Sequence, residues 1–121
     1  MEELKLKKCL KCGALVEVLK NDNNFICCGE QMVDVLPNSV DASQEKHIPE
    51  VHIENDNMII RVNHIMEETH FIEWIMIITD KEVRKFVFKP GDEAVIALSY
   101  STPALVYSYC NLHGLWVKKI M

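Results

Sequence analysis

The chain has 121 residues, 49% of them hydrophobic, and 13 lysines and arginines against 18 acidic residues give a formal net charge of −5. That length fits one ordinary domain, or one modest domain with a small appendage. The acidic balance, with its basic residues scattered, argues against a nucleic-acid-binding surface, and the longest apolar runs, IMII at 75–78 and AVIAL at 94–98, are too short to cross a bilayer.

The opening MEELKLKK lacks the apolar core of a secretory signal. A cytoplasmic protein without membrane attachment is therefore expected. Thiols stay reduced in that compartment, which makes metal ligands or reactive groups of the cysteines rather than disulfides. The lysine pairs at 7–8 and 118–119 read as solvated ends.

Residues 1–36 carry four of the five cysteines, two short alternating runs (LVEVLK and QMVDVL) and an NDNN turn at 21–24. So small a segment has too little apolar surface to offset the entropy of ordering it, so something must staple it. The staple is legible as Cys9 and Cys12 in a C-x2-C knuckle followed by the adjacent Cys27 and Cys28. Four thiolates converging on one ion make a tetrahedral site that suits zinc or iron, and the spacing does not choose between them. Gly13 and Gly29 follow the two pairs, where a residue without Cβ lets the backbone turn and aim N–H groups at sulfur. Two disulfides fit less well, because vicinal cysteines bridge only with strain.

PNSVDASQEK, residues 37–46, is polar and reads as a linker or long loop. Residues 37–121 then form a second domain. Its runs VHIE, MIIRV, FIEWIMII, VRKFVF, AVIALSY, ALVYSY and LWVKKI are parted by NDN, EET, TDKE, KPGDE and STP. About seven short strands without a helical stripe predict a mainly β protein whose larger part is an immunoglobulin-like antiparallel β-sandwich.

Five histidines remain: His47, His52, His64, His70 and His113. His64 and His70 are six positions apart, about 240° around a helix, so they can share a ligand only if MEET is a loop. Cys110 and His113 would face opposite sides of a continuous strand. Asn111 and Gly114 supply turn chemistry that lets the chain bend and offer both side chains to one centre, and a thiolate with an imidazole at such a turn is a common way to hold a redox metal. Trp74 and Trp116 are read as core rather than as electron conduits.

KCxxCG, CCGE, EKHIP, HIMEETHFIEW and YCNLHGLW, in that order and across nearly the whole chain, resemble the two-iron superoxide reductases, also called desulfoferrodoxins. The resemblance implies that Cys9, Cys12, Cys27 and Cys28 form a rubredoxin-like Fe(Cys)4 centre in a desulforedoxin-type domain, residues 1–36. It implies a second iron in the sandwich, held by His47, His64, His70 and His113 as equatorial imidazoles and by Cys110 as axial thiolate. Glu45 and Lys46 match the charged pair beside the open coordination position. His52 has no counterpart among the ligands, and Ile65 stands where many relatives have proline, which loosens the loop without removing a ligand.

The implied reaction is one-electron reduction of superoxide to hydrogen peroxide, with two protons taken up and a rubredoxin-type donor supplying electrons. Four neutral imidazoles and one thiolate leave ferrous iron with a net charge of about +1, which attracts an anion, and Lys46 extends that attraction. Members of this type are commonly homodimers, and a small appendage with few apolar residues gains from a partner. Two other classes compete. A cupredoxin-like electron carrier also has a sandwich and a late C-x2-H pair, but no methionine follows His113 before the terminal Met121 and three histidines stay unexplained. A zinc-stapled binding module without catalysis predicts a colourless protein with no redox response.

Overall fold

The computed structural model describes residues 1–21, 24–100 and 103–121. The middle of the expected NDNN turn, residues 22 and 23, and the first two residues of STP, 101 and 102, lie outside the described residues. Two compact units are formed, one by Glu3–Leu36 and the other by Pro37–Met121 with Met1–Glu2.

In the smaller unit, β1 (Leu6–Lys8) is the middle strand of a three-stranded antiparallel sheet, between β2 (Leu15–Glu17) and β5 (Val33–Val35). The run LVEVLK is a strand only over its first three residues, and QMVDVL breaks at Met32. A separate hairpin joins β3 (Ile26–Cys27) to β4 (Glu30–Gln31), with Cys27 opposite Glu30. Its two turn residues, Cys28 (φ 53°) and Gly29 (φ 78°), are both left-handed. That is the signature of a type I′ turn, whose twist matches the strands it joins. Lys7 corrects the expectation of a solvated end. It lies within a central strand, its side chain is 14% exposed, and its ammonium pairs with Asp34 at 2.8 Å. Lys118 and Lys119 are exposed, yet they too belong to a strand.

All seven expected strands of the larger unit are present. β6 (Glu50–Glu54), β7 (Asn57–Arg61) and β10 (Val95–Ser99) make one sheet in the order β10-β7-β6. β8 (Ile72–Ile78), β9 (Val83–Val87), β11 (Ala104–Cys110) and β12 (Gly114–Ile120) make the other, in the order β12-β11-β8-β9. Position in the sheet explains composition. The central strands IEWIMII and ALVYSYC are nearly continuous apolar runs, and the edge strand VRKFV carries charges that discourage pairing with another chain.

The core between the sheets is built by Met58, Ile60 and Ile96 from one and by Ile72, Ile75, Ile77, Val106 and Cys110 from the other. Ile72 and Ile75 both face it because a bulge shifts the register. Tyr109 lies opposite Trp74, but Cys110 lies opposite Ile72, so Glu73 has no partner on β11 and the alternation resets. The segment read as a linker is partly ordered. Asn38 exchanges hydrogen bonds with Val117 on β12, and Gln44–His47 form a short helix, α1. Among the described residues no helix is long and apolar enough to cross a membrane.

Candidate metal centres

In the smaller unit the sulfurs of Cys9, Cys12, Cys27 and Cys28 all lie within 4.8 Å of one another. The Cys12 and Cys27 sulfurs are 3.5 Å apart and those of Cys27 and Cys28 3.9 Å. These spacings are far too long for a disulfide, and all four cysteines are free. Metal–sulfur bonds of about 2.3 Å in a tetrahedron place sulfurs about 3.8 Å apart, so the cage fits one ion. The knuckle is shaped by backbone bonds: Cys9 N–H donates to Ala14 O and Gly13 N–H to Cys9 O, both at 2.9 Å, with Gly13 left-handed at φ 78°. The Cys12 N–H points at the Cys9 sulfur, 3.4 Å away, and is the main cause that pulls this thiol down to about 6. The neighbouring Cys12 thiol pushes Cys27 up to about 12. Thiols this crowded resist joint ionisation, and a cation among them removes that cost.

In the larger unit the donor atoms of His47, His64, His70, Cys110 and His113 likewise lie within 4.8 Å of one another. Three local devices supply them. His47 ends α1, and Ser108 on β11 anchors it there by donating to its backbone carbonyl at 2.6 Å. His64 and His70 flank a loop between β7 and β8 that is closed by two hydrogen bonds between the backbones of Glu67 and His70. Cys110 and His113 bracket the tight reversal between β11 and β12, where Gly114 is left-handed at φ 77°.

The four imidazoles form a closed ring. Centroid distances run 4.7 Å from His47 to His64, 4.5 Å to His70, 5.0 Å to His113 and 4.9 Å back to His47. The Cys110 sulfur lies 3.5 Å from His64 Nε2 and 3.8 Å from His113 Nδ1. Cys110 is completely buried in the core, while His64, His70 and His113 are half-buried, so the thiol is on the core side of the ring.

Hydrogen bonds select which nitrogen faces inward. His47 Nδ1 donates to Ser43 O at 2.6 Å and His64 Nδ1 to Ile65 O at 2.5 Å, which leaves Nε2 of each as a lone-pair donor. His113 instead turns Nδ1 inward, 3.1 Å from His47 Nε2. Nε2 of His70 is buried with no hydrogen-bond partner. A buried polar atom without a partner is costly, and an ion in the ring satisfies it. Metal–nitrogen bonds of about 2.1 Å put adjacent donors about 3 Å apart, close to the 3.1 Å between His47 Nε2 and His113 Nδ1. Burial holds His47 and His64 below the usual histidine range, favouring the neutral form that ligates. Burial raises the Cys110 thiol, and the N–H groups of Leu112 and His113 oppose that rise.

Of the other residues singled out in the sequence, Glu45 and Lys46 are exposed on α1, one turn or less before His47, and His52 is exposed on β6. Trp116 is fully buried, as a core residue should be, but its indole stacks on His47 with centroids 4.9 Å apart and its Nε1 donates to His113 O at 3.1 Å. Sequence reasoning missed this role, and it also missed Ser43, Ser108 and the side chain of Asn111. Their partners are distant in the chain or are backbone atoms, which no motif records. Four imidazoles around one thiol leave no residue unexplained in the way the copper reading did, and Met66 uses its sulfur to accept Ile72 N–H at 3.4 Å.

A family model described as Desulfoferrodoxin matches residues 39–119. The desulfoferrodoxin of Syntrophotalea carbinolica is 42% identical over 120 residues, covering 95% of each chain. A desulfoferrodoxin homolog from Archaeoglobus fulgidus is 36% identical over 120 residues, 95% of this chain and 96% of its own length. The crystal structure of the superoxide reductase from Treponema pallidum superposes with a TM-score of 0.73 at 26% identity, covering 98% of this chain and 100% of that one. A superoxide reductase (1Fe-SOR) from Giardia intestinalis gives a TM-score of 0.54 at 28% identity over 63% of this chain and 97% of its own.

Proposed function

The chain belongs to the desulfoferrodoxin family, and from that premise we propose that it is a superoxide reductase, converting superoxide to hydrogen peroxide by one-electron reduction with uptake of two protons. The observation that carries this reading is the ring of four imidazoles over one buried thiol, with the buried Nε2 of His70 lacking any other partner. In this proposal His47, His64 and His70 hold iron through Nε2, His113 through Nδ1 and Cys110 through sulfur. Cys9, Cys12, Cys27 and Cys28 hold the second iron. When bound, the iron of the histidine site supplies the electron.

The remaining chemistry belongs to the chain. Ser43 and Ile65 fix two tautomers with their carbonyls, so the ring need not reorganise when an ion enters. N–H groups of Leu112 and His113 beside the Cys110 sulfur temper its electron donation. We assign Lys46 to attract superoxide and orient water for protonation, and Glu45 to the charged pair beside the open side of the ring. The local field dominates the encounter despite the net charge of −5, because distant charges are screened beyond about 8 Å at physiological salt. A rubredoxin-type donor, a cytoplasmic location and a homodimer complete the reading, the last supported by the limited apolar surface of Glu3–Leu36.

Metal analysis with visible spectra taken in air and after dithionite, together with a superoxide assay, tests the proposal. Two irons per chain, thiolate bands that bleach on reduction and peroxide without dioxygen are expected. A colourless zinc protein with no response to reductant would sink it.

A further inference from the structure

We propose that Asn111 is a positioning residue that locks His70 to the Cys110 turn, and that the histidine site keeps its iron through this lock. The inference rests on the iron-site reading above and deepens it. Asn111 directly follows Cys110, yet its side chain serves the other ligand loop. Its Oδ1 accepts Phe71 N–H at 3.0 Å, its Nδ2 donates to Thr69 O at 3.0 Å, and its own N–H donates to Phe71 O at 3.3 Å. The residues on both sides of His70 are thus tied to the residue beside Cys110.

His70 needs such a tie. It sits on a loop rather than a strand, and its buried Nε2 has no other partner to hold its ring inward. The chemistry of the clamp specifies an amide, since one partner is a donor and the other an acceptor. Asp at 111 turns a carboxylate oxygen against the Thr69 carbonyl, and Ala removes both bonds.

The test follows iron release from the oxidised holoprotein to a chelator, with the four-cysteine iron as internal control. Asn111→Ala is expected to release the histidine-site iron about 10- to 100-fold faster, the range for losing a group that orients a ligand. Release from the four-cysteine site is expected to be unchanged. Asn111→Asp, which keeps the bond to Phe71, is expected to fall between Ala and the parent, and it serves if the alanine variant does not fold. If Asn111 acts through His70, adding Asn111→Ala to His70→Ala changes release less than twofold. Parental release rates in both Asn111 variants, or full additivity with His70→Ala, overturn the assignment. A parent protein that holds no metal in the ring overturns the iron site itself and this assignment with it.

Discussion

His47 shows how much of a candidate ligand's geometry is set by residues outside the ring of donors. Its ring nitrogen is fixed by Ser43 O, its carbonyl by the Ser108 hydroxyl and its ring plane by Trp116. Ser108 is completely buried, so Ser108→Ala strands a buried carbonyl and should cost about 1–3 kcal/mol. Denaturant unfolding of the iron-loaded protein measures this, and a cost below about 0.5 kcal/mol, typical of a neutral surface change, contradicts the anchoring role. Lys46 makes a different demand, because an exposed ammonium acts on the encounter rather than on the fold. Lys46→Met is expected to slow the second-order reaction with superoxide by up to about tenfold at low salt and to flatten its dependence on ionic strength. Pulse radiolysis across a salt series checks both, and an unchanged low-salt rate removes Lys46 from the mechanism.

Among the elements, turns do most of the aiming. The reversal from β11 to β12 brings Cys110 and His113 to one side because Gly114 adopts φ 77°. A Cβ built there meets only Val40 at 3.6 Å, an ordinary contact, so the penalty for a side chain is in the backbone. Gly114→Ala should cost about 1–2 kcal/mol, and Gly114→Asn less, since asparagine visits this conformation more readily. Thermal unfolding of both variants tests the order, and equal losses point instead to crowding against Val40. The bulge at Glu73 has a comparable effect within a strand: without it Ile72 would leave the core face that it shares with Cys110.

For the molecule as a whole, its two units have different sources of stability. The sandwich owns an apolar core contributed by both sheets, whereas Glu3–Leu36 is stitched by five short strands, in a three-stranded sheet and a hairpin, around four thiols. Stripping the metal from the four-cysteine site should therefore unfold the small unit while the sandwich persists. Hydrogen exchange reads this directly: amides of β1, β2 and β5 should lose protection and those of β8 and β11 keep it. Retained protection in all five strands means that the small unit folds without its ion.

The seven strands of the sandwich and the grouping of Cys9, Cys12, Cys27 and Cys28 were legible in the sequence, because alternation and residue chemistry are local properties that survive in one dimension. The short strands around Met32, the helix Gln44–His47 and the half-buried, paired Lys7 were not, since propensity is weak over so few residues and burial is decided by neighbours. Spacing alone left open whether His64 shares a centre with His70, or Cys110 with His113, and only the resemblance grouped all five donors. Their convergence from positions 47 to 113 required both sheets to pair. Tertiary structure also decided which nitrogen each imidazole presents and which residues steady the ring, because the lone pair left inward depends on a hydrogen bond to an atom that only folding brings near.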